Sequence, residues 1–266
     1  MRRNPAVAGQ FYPGTAEELR HSLGRLIPVS REPHKAFGIV SPHAGYLYSG
    51  AIAGETFARV EVPRRVVILG PNHQGLGHRA GVYAGGSWLT PLGEARIDEP
   101  LAEEILQGCP ALAADETCHR FEHSLEVQVP FIQTRAPGAS IVPICLRGAA
   151  LDELLELGRH LGKTLARHDD VLMVASSDMT HYESGERARK KDMLALEKVL
   201  DLDPQGLYLV VREKGITMCG VVPVVVMLAA ALEMGAQKAT LVRYGNSGEV
   251  TGDQSEVVGY AGVIVE

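Results

Sequence analysis

The chain has 266 residues, of which 45% are hydrophobic and 22% are charged, a composition typical of a soluble globular protein rather than a disordered one. Its 26 Lys and Arg against 32 Asp and Glu give a net charge of −6, which argues against a nucleic-acid-binding protein that depends on phosphate neutralisation. Four cysteines without a C-x-x-C pair argue against a disulfide scaffold or a Cys-rich structural zinc site. Residues 1–14 lack the apolar core of a signal peptide, and the apolar run 221–232 is too short to span a membrane. We therefore expect a cytoplasmic protein with no membrane and no nucleic-acid partner.

Short β-branched runs alternate with longer helical patterns along the chain. Predicted strands cover residues 37–41, 65–69, 81–84, 141–146, 171–176, 239–244 and 257–265. Predicted helices cover residues 15–26, 49–60, 100–106, 124–134, 151–168, 183–200, 204–213 and 220–234. Several strands are continuous apolar runs, typical of strands covered on both faces, and the glycine-rich stretch 70–93 indicates a long loop or a hairpin over the site. The order predicts an α/β fold with a mainly parallel or mixed central sheet covered by helices, in one domain over residues 1–266.

Histidine and aspartate residues follow three of the predicted strands directly. His43, His73 and the pair Asp178 and His181 each come just after a different strand. Because ligands of open α/β sheets bind outside the carboxyl ends of the strands, we expect these four side chains at one edge of the sheet. Two histidines and a carboxylate with open coordination positions suit non-haem iron, and the same ligands can hold zinc and activate water. These residue types do not choose between the two metals.

Cys219 directly precedes the apolar helix predicted from Gly220. The N-terminus of a helix can lower the pKa of a thiol from about 8.5, and a thiolate at this position would ligate a soft or borderline metal. The other cysteines, Cys109, Cys118 and Cys145, are interpreted as small buried hydrophobic residues.

Residues 119–123 have the sequence HRFEH, which matches the H-x-x-E-H pattern of some zinc proteases. That pattern needs a helix on which His119 and His123 share a face, with Glu122 as the general base. Because the helix is predicted to begin only near residue 124, His119 falls before it. A zinc metallohydrolase that uses this motif or the strand-end cleft is one alternative. A non-catalytic module that binds a peptide or partner protein is another.

Six segments in this order resemble the Memo family over nearly the whole chain. They are PAVAGQFYP at 5–13, SPHAGY at 41–46, GPNH at 70–73, EHSLE at 122–126, SSDMTH at 176–181 and MCG at 218–220. The Memo family is similar in fold to the class III extradiol ring-cleaving dioxygenases, which hold Fe(II) with two histidines and a glutamate. The resemblance therefore implies a dioxygenase-like α/β fold.

The same resemblance implies roles for individual residues. His43 and His73 match the two metal-ligand histidines, and Cys219 falls where the dioxygenases have their glutamate. His123 and His181 match further active-site histidines that do acid–base work, with Asp178 next to the metal. Since a thiolate in place of a carboxylate favours softer ions and is open to oxidation, extradiol cleavage itself is not implied.

The resemblance also implies a cofactor and partners. The expected cofactor is iron or copper, with zinc possible, and the expected function is a metal-dependent redox or oxygen-using activity on an unknown small molecule or peptide. In prokaryotes such proteins are grouped with an AMMECR-type protein and a radical SAM enzyme, the AmmeMemoRadiSam system, and these two are candidate partners.

Overall fold

The computed structural model describes residues 2–29 and 32–266 of the chain. This part contains twelve strands and nine α-helices. The strands are β1 (Arg2–Arg3), β2 (Gly38–Ser41), β3 (Arg65–Pro71), β4 (Ala80–Val82), β5 (Ser87–Thr90), β6 (Gly93–Arg96), β7 (Ala113–Ala114), β8 (Ser140–Leu146), β9 (Val171–Ser176), β10 (His181–Glu183), β11 (Ala239–Asn246) and β12 (Val257–Val265). The helices are α1 (Ala16–Leu26), α2 (Tyr46–Ala58), α3 (Glu99–Gly108), α4 (Val129–Arg135), α5 (Leu151–Leu165), α6 (Gly185–Leu200), α7 (Pro204–Glu213), α8 (Val221–Glu233) and α9 (Gly248–Thr251).

Nine of the strands form one mixed sheet with a parallel centre. Their spatial order is β10, β12, β2, β9, β3, β8, β4 and β7, and β11 pairs with β12 beside this path. β2, β9, β3 and β8 run parallel to one another, whereas β12 and β4 flank them in the antiparallel direction. The predicted α/β fold with a mixed, helix-covered central sheet is therefore confirmed.

Helices cover both faces of this sheet, and β9 shows how one strand serves two cores. Successive residues of a strand point to opposite faces. Met173 accordingly joins a hydrophobic core with side chains of α5 and α8, while Leu172 and Val174 join a second core with side chains of α1 and α2. This double burial explains why the parallel strands are continuous apolar runs rather than alternating ones.

The structure differs from the predicted elements near the carboxyl edge of the sheet. α2 begins at Tyr46, earlier than expected, with Gly45 as its N-cap. The helix expected at 124–134 is a 3₁₀ turn at Glu126–Gln128 followed by α4, whose first turn contains Pro130, a residue without an N–H to leave unpaired there. The stretch 70–93 contains β4 and β5. β5 forms a hairpin with β6 and also pairs with β1, in a sheet separate from the central one.

Across the described ranges, each helix is too short or too polar to cross a membrane.

A buried carboxylate, that of Glu126, fastens the N-terminal segment to the turn before α4. Its oxygens accept hydrogen bonds from the backbone N–H of Ala6 at 2.7 Å and of Val7 at 3.0 Å, and from the hydroxyl of Tyr12 at 2.7 Å. The guanidinium of Arg3 forms an ion pair with it at 2.6 Å, and the side chains of Arg3 and Glu126 are only 4% and 1% exposed. A buried ion pair of this kind is tolerated because further hydrogen bonds satisfy both charges.

Arg3 also connects the N-terminal segment to the loop before His123. Its Nε and Nη2 atoms donate to the carbonyl oxygens of His119 and Glu122, both at 2.7 Å. Its guanidinium lies 4.2 Å from the centre of the Trp88 ring. The N-terminal segment therefore helps to fix the loop that carries the side chains described below.

We expect Glu126→Ala to lower the free energy of unfolding by about 3–5 kcal/mol, because it leaves the buried guanidinium of Arg3 without its partner. Chemical denaturation measures the change. The matched control is Glu186→Ala: Glu186 pairs with Lys190 at 2.6 Å, with both side chains largely exposed, and its loss should have little measurable effect. Equal destabilisation by the two substitutions would contradict this account.

Candidate metal centre

Three neighbouring parallel strands present the side chains that the sequence placed at one edge. β2 ends two residues before His43, β3 ends two residues before His73, and β9 ends two residues before Asp178. Because these strands lie side by side and run in the same direction, the three turns open onto the same edge of the sheet. His181 begins β10, and Cys219 lies two residues before α8.

A cleft of about 610 Å³ lies at this edge. The residues predicted for the site all line it: His43, His73, His123, Asp178, His181 and Cys219. Aromatic side chains also contribute to its walls: Phe11, Tyr48, Tyr182 and Tyr260. The fold thus brings together six candidate residues from separate parts of the chain.

Three imidazoles in the cleft converge on one another. One ring nitrogen from each of His43, His73 and His123 lies within 4.8 Å of the other two. The rings of His73 and His123 stack, with centres 4.8 Å apart, and His43 meets both edge-on at 5.3 and 5.5 Å. The family resemblance implies an acid–base role for His123, whereas its position here also makes it a third candidate ligand.

Cys219 stands beside this group rather than within it. Its Sγ lies 3.1 Å from Nε2 of His43, and the backbone N–H of Asp178 donates to the sulfur at 3.4 Å. The expectation of a lowered pKa for Cys219 is wrong: burial, and then the negative charge of Asp178, raises the pKa of the thiol. Removal from water therefore outweighs the position before α8.

A hydrogen-bond network fixes which nitrogen of His43 carries the proton. The hydroxyl of Ser176 donates its one proton to the carbonyl oxygen of Ser124 at 2.6 Å. Nδ1 of His43 lies 2.9 Å from that hydroxyl oxygen. Because the hydroxyl proton is already used, Nδ1 must donate to the oxygen. The side-chain amide of Gln128 donates to the same oxygen at 2.9 Å. Burial, and then the neighbouring imidazoles, lower the pKa of His43 well below its ordinary value, so the neutral ring keeps a lone pair on Nε2.

The carboxylate of Glu122 fixes the second imidazole. It is fully buried and accepts from Nδ1 of His73 at 2.9 Å and from the backbone N–H of His73 at 2.7 Å. The backbone N–H groups of His123 and Ser124 donate to it as well, both at 3.0 Å. Burial acts to raise the pKa of Glu122, but its interaction with His73, together with the other donors, lowers it to about 2. The sequence motif assigned Glu122 only a general-base role. Its position directly before His123 is the one feature of the sequence that could have indicated that it positions the imidazoles instead.

His119 does not share a helix face with His123, so the H-x-x-E-H protease arrangement is not formed in residues 117–123. His119 ends a 3₁₀ turn at Thr117–His119 and is fully buried. Its Nε2 lies 3.1 Å from the carbonyl oxygen of Gly81. Glu122 is fully buried and its carboxylate accepts from four N–H groups, so it is not exposed to the cleft as a general base for a water molecule.

Asp178 and His181 supply the remaining ionisable groups of the cleft. Oδ1 of Asp178 accepts from the backbone N–H of His43 at 2.7 Å and of Ala44 at 3.3 Å, so it holds the turn that presents His43. Burial, opposed by these hydrogen bonds, raises the pKa of Asp178 to about 6. Nδ1 of His181 donates to the carbonyl oxygen of Thr217 at 3.0 Å, which leaves Nε2 for proton exchange.

One aromatic residue of the cleft wall has an unusual backbone conformation. Tyr182 has a left-handed backbone with φ of 58° and is 74% exposed. Such a conformation in a residue other than glycine costs on the order of 1–3 kcal/mol and is concentrated at functional sites.

The two tyrosines at the start of α2 have different places. Tyr48 lines the cleft. Tyr46 is buried, and its hydroxyl donates to the carbonyl oxygen of Val127, so it is a packing residue.

We expect Ser176→Ala to free the proton position of His43, because Nδ1 loses its acceptor. Imidazole ¹⁵N NMR should then show a mixture of tautomers, and the free energy of unfolding should fall by about 1–3 kcal/mol, since the buried carbonyl of Ser124 also loses its donor. The control is Ser140→Ala. Ser140 begins β8 at the opposite end of the sheet, and its hydroxyl donates to the carboxylate of Asp98 at 2.7 Å. An unchanged His43 tautomer in Ser176→Ala would contradict the network.

Known proteins match this chain over almost its whole length. The family described as "Memo-like protein" matches residues 3–264. A MEMO1 family protein of Aquifex aeolicus (strain VF5) is 46% identical over 264 residues, 98% of each chain, and one of Methanopyrus kandleri is 40% identical over 279 residues, 99% of each. Among solved structures, the uncharacterized protein JW3007 from Escherichia coli K12 is similar in fold, with a TM-score of 0.54 at 14% sequence identity. The superposition covers 85% of this chain and 98% of that one. The chain therefore belongs to the Memo family.

Proposed function

We propose that this protein binds iron or copper in the cleft and carries out a metal-dependent redox or oxygen-using reaction. The convergence of the imidazole nitrogens of His43, His73 and His123 within 4.8 Å, with the Sγ of Cys219 3.1 Å from one of them, carries the proposal. Imidazole and thiolate are ligands that suit iron and copper. With bonds of about 2.0 Å to nitrogen and about 2.3 Å to sulfur, neighbouring donors around one ion lie about 3 to 3.5 Å apart, so the separation of Cys219 and His43 fits a shared ion.

The hydrogen bonds behind the imidazoles support the same interpretation. A metal-bound imidazole usually donates its other N–H to a carboxylate, a carbonyl or a similar group, which fixes its orientation. Nδ1 of His73 donates to Glu122 and Nδ1 of His43 donates to Ser176. Both rings therefore keep Nε2 as the available ligand atom.

A bound redox ion would supply electron exchange with a substrate or with O₂. The chain's own residues bind that ion and handle protons. Asp178, with a pKa of about 6, can accept a proton near neutral pH, and Nε2 of His181 can accept or donate one. Phe11 packs against the ring of His123 at 4.8 Å and limits the access of water to that side of the cluster.

The H-x-x-E-H metallohydrolase and the metal-free binding module have less support, whereas the metal-binding measurement below distinguishes a zinc metallohydrolase in the strand-end cleft from the proposal. A metallohydrolase of the H-x-x-E-H type needs a free general base, but Glu122 is buried, accepts from four N–H groups and has a pKa of about 2. A binding module without a metal would not require His43 and His73 to converge, yet their ring centres are 5.3 Å apart.

We expect His43→Ala and Cys219→Ser each to lose most of the iron, or about one equivalent of the copper, bound by the unaltered protein, because each removes a candidate ligand of the cleft. Anaerobic equilibrium binding of iron, copper and zinc followed by elemental analysis measures this loss. The matched control is His168→Ala, since His168 pairs with Glu104 at 2.9 Å outside the cleft. Equal metal content in all four proteins would overturn the proposal.

We expect Glu122→Gln to weaken metal binding in the cleft about 10–100-fold, because the carboxylate that orients His73 is lost while the residue's shape is kept. Titration calorimetry measures the affinity. Glu104→Gln removes the carboxylate from the remote pair with His168 and should leave the affinity unchanged. Unaltered binding in Glu122→Gln would show that the orientation of His73 does not depend on this carboxylate.

A further inference from the structure

A second group of ligand-type side chains lies behind the histidine cluster and has no role in the proposed function. The two sulfurs of Cys118 and Cys145 and one ring nitrogen of His119 lie within 4.8 Å of one another. All three residues are at most 1% exposed. The thiol of Cys145 approaches the carbonyl oxygen of Pro71 at 3.8 Å, which places the group directly behind the turn that presents His73.

The imidazole of His119 has the hydrogen-bond pattern of a metal ligand. Its Nε2 lies 3.1 Å from the carbonyl oxygen of Gly81, which can only accept, so Nε2 carries the proton. Burial lowers the pKa of His119 to about 3, which keeps the ring neutral and leaves a lone pair on Nδ1. This Nδ1 is buried and has no hydrogen-bond partner among the described residues. One nitrogen on a backbone carbonyl and the other free is the usual arrangement of a ligating imidazole.

The group is shielded from solvent and closely packed. A Cβ at Gly81 would overlap the Sγ of Cys118, so the glycine leaves the space that this sulfur occupies. The rings of Tyr83 and Trp88 meet His119 edge-on at 5.6 and 5.7 Å. Full burial of the ligand-type side chains is typical of structural metal sites rather than catalytic ones.

We propose that Cys118, His119 and Cys145 form a second, closed site for a thiophilic d¹⁰ ion, Zn²⁺ or Cu⁺. Thiolate and imidazole ligands select ions of this kind. Each thiol loses its proton when the ion binds, so two thiolates neutralise a Zn²⁺ ion, which suits a buried position.

The position of this site gives it a structural consequence. Cys145 belongs to β8, whereas Cys118 and His119 belong to the 3₁₀ turn just before Glu122 and His123. A bound ion would tie this turn to the central sheet and so hold the loop that positions two residues of the cleft. The site shares no ligand with the cleft, so either one can be filled without the other.

The test uses a His43→Ala/Cys219→Ser protein, which lacks a cleft ligand and the cleft thiol. Under anaerobic conditions we expect it to bind about one equivalent of Zn²⁺ or Cu⁺, and to give thiolate charge-transfer absorption with Co²⁺ as a probe. Adding Cys145→Ser should weaken binding at least 10–100-fold and remove that absorption. Adding Cys109→Ser, at an equally buried thiol elsewhere in the core, should change neither. Equal effects of the two serine substitutions would overturn the proposal.

A second measurement leaves the three proposed ligands unaltered and so does not depend on how Cys145→Ser folds. X-ray absorption of the metal-loaded His43→Ala/Cys219→Ser protein should show two sulfur ligands and at least one imidazole nitrogen. The absence of bound metal, a spectrum without sulfur, or a Cys118–Cys145 disulfide in the purified protein would each overturn the proposal. Because the cleft is disabled throughout, failure of the proposed cleft function would not affect these results.

Discussion

Four N–H groups surround the carboxylate of Glu122, and a fully buried negative charge is tolerated only when it is hydrogen-bonded in this way. Two of the donors belong to His73 and the others to the backbone of His123 and Ser124. One carboxylate therefore fixes the tautomer of one imidazole and the path of the chain that carries another. The hydroxyl of Ser124 also joins this loop to the turn after β3 by donating to the carbonyl oxygen of Pro71 at 3.1 Å, a neutral bond that is weaker than one to a carboxylate.

A second buried carboxylate, that of Glu126, supports the first from the other side of the loop. It binds Arg3, and Arg3 in turn donates to the carbonyl oxygens of His119 and Glu122. The stability of the fold and the geometry of the cleft are therefore coupled through the same loop. The buried group of Cys118, His119 and Cys145 lies at the start of this loop, where an ion would add a third attachment.

Charge in the cleft is arranged to keep lone pairs available. Burial and mutual repulsion keep His43 neutral, and Ser176 directs its proton to the nitrogen that faces away from Cys219. Burial likewise keeps Cys219 protonated until its proton is displaced. The pKa of Asp178, near 6, lets this carboxyl group change charge close to neutral pH.

The sequence by itself determined the α/β architecture and the meeting of His43, His73 and Asp178. Both follow from local rules: continuous apolar runs indicate doubly covered parallel strands, and the carboxyl ends of such strands share one edge. The family resemblance already implied that His123 belongs to the site, but the tertiary structure alone made it a third candidate ligand beside His43 and His73. It alone also decided the positioning role of Glu122 and the direction of the Cys219 pKa shift. These depend on which groups are buried together by distant parts of the chain, and burial and hydrogen-bond partners are not encoded in the spacing of a motif. The same reason separates His119 from the protease pattern that its sequence matches and places it with two cysteines instead.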